Sequence, residues 1–226
     1  MENKIQGIID RFDAPFFFYD LDRLKAHLEY MKDGLDPDIK LWYACKANPM
    51  SAIIKIMRNL DFGLDVASSG ELHQVLNNGV EPENILTTGP GKSKQYLKHL
   101  VDNGIETVVL ESINQALWLE EIAADCGKTI KCLLRVQLDW NEGKSVLGGD
   151  EITPFGIGPD DWKPLNHKDL KHLHIIGFHV FQWGNILDTK MLEHIWTTTV
   201  EKTQALAKEM SIEIEVLDLG GGLGIP

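Results

Sequence analysis

The sequence has few cysteines, no long apolar run and no excess of basic residues. Its three cysteines, Cys45, Cys126 and Cys132, are odd in number and lack C-x-x-C spacing, so neither a disulfide framework nor a zinc knuckle is predicted. They fit a reducing cytoplasm. No run approaches the roughly 18 apolar residues that a membrane span needs, and the first residues form no apolar leader. The sequence therefore predicts a cytoplasmic protein that does not enter a membrane.

The balance of charge excludes a second group of partners. The chain has 34 acidic residues against 22 lysines and arginines, which gives a formal net charge of -12. Without a basic stripe to neutralise phosphates, neither nucleic acid nor an anionic membrane surface is an expected partner. The length of 226 residues and the 43% hydrophobic content suit one large α/β domain that acts on a small molecule.

Short apolar runs recur along the chain, and most are followed by a stretch with helical periodicity. One helix is predicted to begin after Ser112 and to end at Gly127. Nearly continuous apolar runs, such as residues 107–110, are typical of a parallel sheet covered by helices. The predicted strands are residues 41–45, 62–66, 84–88, 106–110, 130–138, 173–181 and 214–219.

Seven such units, spaced by roughly twenty-odd residues, favour a (β/α)₈ TIM barrel over an open doubly wound sheet. The sequence contains no eighth strand, because it stops at residues 219–226, directly after the seventh. We therefore expect residues 1–226 to form an incomplete barrel with unpaired first and seventh strands. Residues 139–172 are rich in Gly, Asp and Pro, and a connection of that length favours a functional role.

Working groups of a barrel cluster at the carboxyl ends of its strands, and the unusual residues of this chain fall there. Lys46 closes the first apolar run, and a partly desolvated amine at that place is a Schiff-base candidate. Asp65, Arg135 and His179 belong to the second, fifth and sixth runs. Taken singly, each has a structural explanation: a snorkelling lysine, a helix cap, a surface ion pair and a core histidine. Taken together, they favour a catalytic site.

Glycines follow the seventh run. The backbone N–H groups of Gly220, Gly221 and Gly222 could cradle a phosphate. A Rossmann fingerprint is disfavoured, because its third glycine would fall at Ile225. The segment 89–92 resembles the end of a P-loop, but Leu86 stands where the first glycine is required. We interpret that segment as a tight turn with a solvated lysine, Lys92.

Six ordered segments resemble the fold-type III pyridoxal-phosphate decarboxylases, which include the diaminopimelate and ornithine decarboxylases and relatives from siderophore and antibiotic pathways. The resemblance extends over almost the whole chain. The matching segments are residues 43–48, 65–71, 85–92, 134–136, 177–180 and 218–222.

The resemblance implies that pyridoxal 5'-phosphate is held by Lys46 through a Schiff base, that His179 stacks on the pyridine ring and that Arg135 lies beside it. It also implies Asp65 near the lysine and the backbone of Gly220–Gly222 at the cofactor phosphate. The implied reaction is decarboxylation of an amino acid, in which the cofactor ring accepts the electrons. The family works as a homodimer and has a C-terminal β domain that this sequence does not contain.

The chain departs from the family where small residues that assist the phosphate usually follow the histidine. Trp183 and Gly184 occupy those places, so a reshaped phosphate corner is expected. Two alternatives to the decarboxylase stay open: a single-domain protein that carries the cofactor without catalysis, and an amino-acid racemase built on the same barrel. The substrate is expected to be a polar or charged amino acid, such as a siderophore or polyamine precursor.

Overall fold

A computed structural model describes residues 2–13, 15–140 and 153–225. The chain forms two compact units, Met1–Leu41 and Trp42–Pro226. The first contains helices α1 (Glu2–Ile9) and α2 (Leu21–Asp33). Asp20 caps α2, because its carboxylate accepts a hydrogen bond from the backbone N–H of Arg23 at 3.1 Å. Leu28 is the only buried residue among those described in this unit, and Phe17 is 89% exposed.

The second unit is built on one parallel sheet in which each strand pairs with the next in the sequence, in the order β1 to β7. The strands are β1 (Trp42–Ala44), β2 (Gly63–Val66), β3 (Ile85–Thr87), β4 (Thr107–Leu110), β5 (Ile130–Arg135), β6 (Leu173–His179) and β7 (Val216–Asp218). The connecting helices are α3 (Ser51–Asn59), α4 (Ser69–Asn77), α5 (Lys94–Asp102), α6 (Ile113–Cys126), the short α7 (Pro159–Trp162) and α8 (Thr189–Met210).

The inner strands are buried on both faces. Nearly every residue of β2 to β6 is buried, whereas β1 and β7 are partly or fully exposed. This contrast follows from the topology, since β1 and β7 are the two edges of the sheet. A cluster of four apolar side chains from successive inner strands fills part of the core: Leu86, Val109, Leu133 and Ile176.

Strand β6 is adjusted by a bulge next to its most polar residue. The register between β5 and β6 shifts at Cys132 and Leu133, where Ile176 is the extra residue. Gly177 follows with a φ of 148°, and a Cβ at that position would collide with the backbone oxygen of Val216 on β7. Only glycine lets β7 approach so closely. The bulge and Gly177 together set the direction in which His179 leaves the strand.

The predicted parallel α/β architecture is confirmed, and all seven predicted strands are present. Helix α6 begins after Ser112, whose hydroxyl accepts from the Gln115 N–H, and ends at Gly127 with a φ of 61°, as its sequence indicates. Part of the long connection between β5 and β6, residues 141–152, lies outside the described residues. Within the described ranges, no helix is both long enough and apolar enough to cross a membrane.

Candidate active site at the carboxyl edge of the sheet

The register of the last three strands places three polar side chains in one row. Arg135 is paired with His179 across β5 and β6, and His179 is paired with Asp218 across β6 and β7. On the other side of the sheet, Asp65 is paired with Ala44, two residues before Lys46. The carboxyl ends of parallel strands share one edge, so all the predicted site residues belong to the same end of the unit.

Lys46 lies just beyond β1. The strand ends at Ala44, and Lys46 sits in a single 3₁₀ turn, Cys45–Ala47. Its side chain is exposed, so the expected partial desolvation is wrong for this chain by itself. The ammonium lies 5.9 Å from the centroid of the Phe181 ring, within cation–π range. An exposed primary amine beside an aromatic wall is free to meet a carbonyl group.

Cys45 is separated from this chemistry although it adjoins Lys46. Its thiol is buried, and burial raises its pKa to about 12, with further contributions from Glu71 and Asp65. The two neighbouring side chains differ in exposure because both lie in the 3₁₀ turn, after the strand has ended at Ala44.

Asp65 carries a perturbed carboxyl group. Burial raises its pKa to about 6, opposed by a hydrogen bond from Thr88 and reinforced by the nearby charge of Asp218. The Thr88 hydroxyl lies 2.8 Å from one carboxylate oxygen and 3.1 Å from the other. The charges of Lys46 and Lys92 lower this pKa slightly, so the carboxyl group takes up or releases a proton close to pH 6.

Arg135 is buried, not at the surface, and its partner is Glu111, which immediately follows β4. One guanidinium nitrogen, Nη1, lies 3.1 Å and 3.3 Å from the two Glu111 carboxylate oxygens. The Phe155 ring stacks on the guanidinium with its centroid 4.9 Å from Cζ. Our sequence reasoning missed Glu111, although an acidic residue directly after a strand was a usable signal.

The interpretation of Lys92 as solvated is wrong. Lys92 is 2% exposed, and burial lowers its pKa to about 8 despite the nearby carboxylate of Glu111. Its ammonium lies 3.8 Å from Glu111 and donates a hydrogen bond to the Gly89 carbonyl. The tight turn was predicted, but the turn folds its lysine inward. Local sequence could not reveal this, because the carboxylate lies 19 residues further along the chain.

His179 is buried at the centre of the row. Burial lowers its pKa, and the Asp218 carboxylate, 3.8 Å from Nε2, acts in the opposite direction. The other ring nitrogen, Nδ1, is buried without a hydrogen-bond partner among the described residues. An imidazole held neutral with an unused ring atom is unusual for a purely structural histidine, because buried polar atoms are normally paired.

The three glycines after β7 have φ values of 68°, 87° and 92°, which favour glycine strongly. A Cβ at Gly220 would lie 2.5 Å from Phe181, and one at Gly222 would lie 2.8 Å from the Trp183 carbonyl oxygen. A Cβ at Gly221 would meet no atom of the described residues within 4 Å. The run therefore lies against the segment that follows β6, with one open side at its middle residue.

One of the three glycine N–H groups is already engaged. The N–H of Gly220 donates to Asp218 Oδ1 at 2.8 Å, and the Trp196 indole on α8 donates to the Gly221 carbonyl at 3.1 Å. These bonds hold the run in place. Among the described residues, no hydrogen bond engages the N–H groups of Gly221 and Gly222, so these are the donors that this part of the site offers to an anion.

Gln182 joins the end of β6 to the start of the β5–β6 connection. Its side-chain oxygen accepts from the Leu138 N–H at 2.7 Å and from the Trp140 indole at 3.1 Å, and its amide donates to the Leu138 carbonyl at 2.9 Å. Trp140 meets Trp183 edge to face at 5.5 Å between ring centroids. Trp183 is thus buried in a wall beside the glycine run, and its effect on phosphate binding stays a prediction.

The sequence and the fold of this chain are similar to those of known proteins. Residues 21–226 match the model described as pyridoxal-dependent decarboxylase, pyridoxal binding domain. A curated relative, L-glutamyl-(BtrI acyl-carrier protein) decarboxylase from Niallia circulans, is 29% identical over 99% of this chain and 53% of its own length. Diaminopimelate decarboxylase from Aquifex aeolicus is 29% identical over 98% of this chain and 53% of its own length.

A solved structure, diaminopimelate decarboxylase from Helicobacter pylori complexed with L-lysine, superposes with a TM-score of 0.84 at 25% identity. The alignment covers 98% of this chain and 57% of that one. The chain thus spans about half the length of the relatives that it matches. Residues 21–226 match the family model over far more than half of the sequence. The chain belongs to the pyridoxal-dependent decarboxylases, as their pyridoxal-binding domain.

Proposed function

We propose that this chain is the cofactor-binding part of a pyridoxal-phosphate-dependent amino-acid decarboxylase. The observation that carries the proposal is the buried His179, whose Nδ1 has no hydrogen-bond partner among the described residues, in one row with Arg135 and Asp218 at the edge where Lys46 also lies. Family membership supports the same conclusion. The curated relatives named above are decarboxylases.

The residues present fit the three chemical parts of the cofactor. Lys46 offers an exposed amine to an aldehyde. His179 offers an uncharged aromatic face for a pyridine ring. On the open side of Gly221, backbone N–H groups can donate hydrogen bonds to a phosphate. The positive φ values of the glycines set the direction of these N–H groups. Pyridoxal phosphate, when bound, supplies an electron-accepting ring that stabilises the charge left at the α-carbon when a carboxylate leaves as CO₂.

Each protein group has a distinct task in this proposal. Lys46 would hold the cofactor through its amine. Asp65, whose pKa is raised to about 6, would supply a carboxyl group at the same end of the sheet as the lysine. Arg135, fixed by Glu111, contributes a positive charge beside the ring. Gly220 packs closely against Phe181 and so places the glycine run at the site. Gly221 and Gly222 would bind the cofactor phosphate through their N–H groups.

The substrate is proposed to be an amino acid. The relatives named above act on a glutamyl group carried by an acyl-carrier protein and on diaminopimelate, so free and carried amino acids are both in the class. The homodimer and the cytoplasmic location stay predictions. The three free cysteines are consistent with that location.

The test is to add pyridoxal phosphate, reduce with borohydride and locate the adduct by peptide mass mapping. We expect one adduct, on Lys46, which is lost in Lys46→Ala and kept in Lys55→Ala. Lys55 is the matched control, because it is an exposed lysine on α3. Labelling spread over surface lysines, or unchanged in Lys46→Ala, would refute the proposal.

A second measurement separates the activities. The full-length protein, incubated with single amino acids, is expected to release CO₂. Exchange of the α-proton with solvent without CO₂ release would identify a racemase instead. Cofactor binding at Lys46 with neither reaction would identify a carrier.

A further inference from the structure

Three buried charged residues form a cluster that includes one residue of the proposed site, Arg135. Lys92 follows β3, Glu111 follows β4 and Arg135 ends β5, so three successive strands each supply one member. Their exposures are 2%, 2% and 4%. Two cations and one carboxylate are costly to bury, and an apolar set of the same volume would often be as stable. The cluster is therefore a candidate for a role beyond stability.

Glu111 is the centre of the cluster. It accepts the Gly89 N–H at 2.6 Å and the Arg135 guanidinium at 3.1 Å, and the Lys92 ammonium lies 3.8 Å away. The carboxylate thus meets donors from three directions. Its orientation decides where the guanidinium of Arg135 can lie, because both carboxylate oxygens contact the same nitrogen, Nη1.

Lys92 fastens this carboxylate to the turn after β3. Its ammonium donates to the Gly89 carbonyl while it pairs with Glu111. Gln115 strengthens the link, because its side chain accepts from the Glu111 N–H at 3.0 Å and donates to the Pro90 carbonyl at 3.0 Å. Among the described residues, the hydrogen bond and ion pair of Lys92 go to Gly89 and Glu111, so it reaches Arg135 through Glu111.

We propose that Lys92 is a positioning residue of the site: by fixing Glu111, it sets the orientation of Arg135 and adds a second buried positive charge at the edge of the sheet where His179 lies. The single negative charge of Glu111 is already balanced by Arg135. The positive charge of Lys92 is therefore not needed to neutralise Glu111. The role toward the cofactor rests on the proposed function. The role toward Arg135 and His179 does not, since it is a property of the cofactor-free chain.

The charge of the cluster reaches His179. Four charged groups act on the pKa of this imidazole: Asp218 from β7, Arg135 from β5, and Glu111 and Lys92 from the segments after β4 and β3. Burial lowers the pKa of His179, Asp218 and Glu111 raise it, and Arg135 and Lys92 lower it. Removing Lys92 and removing the charge of Glu111 should therefore act on His179 in opposite directions.

The experiment follows His179 by NMR titration in the cofactor-free chain labelled with ¹⁵N-histidine, with the signal assigned from His179→Gln. We expect the pKa of His179 to rise in Lys92→Met and to fall in Glu111→Gln. The matched control is Lys94→Met, two residues away on the exposed side of α5, where Lys94 pairs with Glu121 at 2.8 Å. It should leave the titration unchanged.

A purely structural role gives a different result. If the variants only loosen the packing and admit water, the pKa of His179 rises in both, because burial is the largest cause of its lowered pKa. A shift of the same sign in both variants, or no shift, overturns the proposal. Lys92→Gln, which removes the charge and keeps a donor, gives the same test if Lys92→Met does not fold.

Cofactor binding supplies the second readout. Groups that orient a ligand-binding side chain are commonly worth about ten- to a hundredfold in affinity at metal sites, and we expect Lys92→Met to bind pyridoxal phosphate about tenfold more weakly than Lys94→Met. Equal affinity of the two would remove the role toward the cofactor. If the wild-type chain also fails to bind, the proposed function fails, while the His179 titration still decides the positioning role.

Discussion

The Nε2 atom of His179 lies 3.8 Å from a carboxylate oxygen of Asp218, while Nδ1 of the same ring is buried without a partner among the described residues. The carboxylate is itself held by the N–H of Gly220 at 2.8 Å. The carboxylate beside Nε2 of the imidazole is therefore linked to the glycine run.

This relationship predicts the effect of Asp218→Asn. Asp218 is the main group that raises the pKa of His179 against burial, so its neutral analogue should lower that pKa further. The amide oxygen of the new residue can still accept from Gly220, so the glycine run should stay in place. NMR titration of His179 measures the shift, and an unchanged or raised pKa would show that the carboxylate does not act on the ring.

A second prediction concerns the pH dependence of stability through Asp65. Its pKa is raised from 3.8 to about 6, so the native state holds a proton that the unfolded state releases between about pH 4 and pH 6. Stability from this group is therefore present below pH 4 and lost as the pH rises to about 6. Asp65→Asn should remove this loss, on the order of 3 kcal/mol.

Urea denaturation at about pH 4.5, inside that window, and at about pH 7, above it, measures this difference. The free energy of unfolding of Asp65→Asn should exceed that of the wild type more at the higher pH. Asp61→Asn is a control at a turn, outside the strands. Parallel pH profiles for wild type and Asp65→Asn would contradict the raised pKa.

The glycine run allows a matched comparison of two substitutions. Gly221→Ala and Gly222→Ala both place a side chain at a positive φ, which costs about 1–2 kcal/mol. Only Gly222→Ala also drives a Cβ to 2.8 Å from the Trp183 carbonyl oxygen. We expect Gly222→Ala to lower the thermal midpoint more. Equal thermal midpoints for the two variants would mean that the backbone at Trp183 moves to accept the new Cβ, and that contacts with this segment do not fix the position of the glycine run.

The three hydrogen bonds of the Gln182 side chain to Leu138 and Trp140 should stabilise the start of the β5–β6 connection. Gln182→Leu leaves the N–H and carbonyl of Leu138 and the indole N–H of Trp140 without their partner. Buried unpaired groups cost about 1–3 kcal/mol each, so we expect a total loss of about 3 kcal/mol. Gln204→Leu, at an exposed position of α8, should change stability by less than about 0.5 kcal/mol.

Denaturation followed by tryptophan fluorescence measures the loss, since Trp140 and Trp183 are in edge-to-face contact. The emission of Gln182→Leu should also shift before the global transition, because Trp140 loses its hydrogen bond. If the emission of Gln182→Leu shifts only with global unfolding, and its stability equals that of the wild type, the hydrogen bonds of Gln182 contribute little to stability.

The sequence by itself determined the strand–helix alternation, the order of the strands and the edge at which the site residues lie. These depend on local patterns: apolar runs for β2 to β6, helix caps such as Ser112, and glycines such as Gly127 that end helices. Parallel strands then bring Lys46, Asp65 and His179 to one edge whatever the details of packing.

The tertiary structure alone decided how these residues are charged, buried and paired. Lys46 is exposed and Lys92 is buried, the reverse of what their local sequences suggest, because burial depends on which chain segments pack over a side chain. Glu111 meets Arg135 from 24 positions away, and Gln182 meets Leu138 from 44. Such partners are set by strand register and by a bulge next to Gly177, and single-sequence patterns do not encode either.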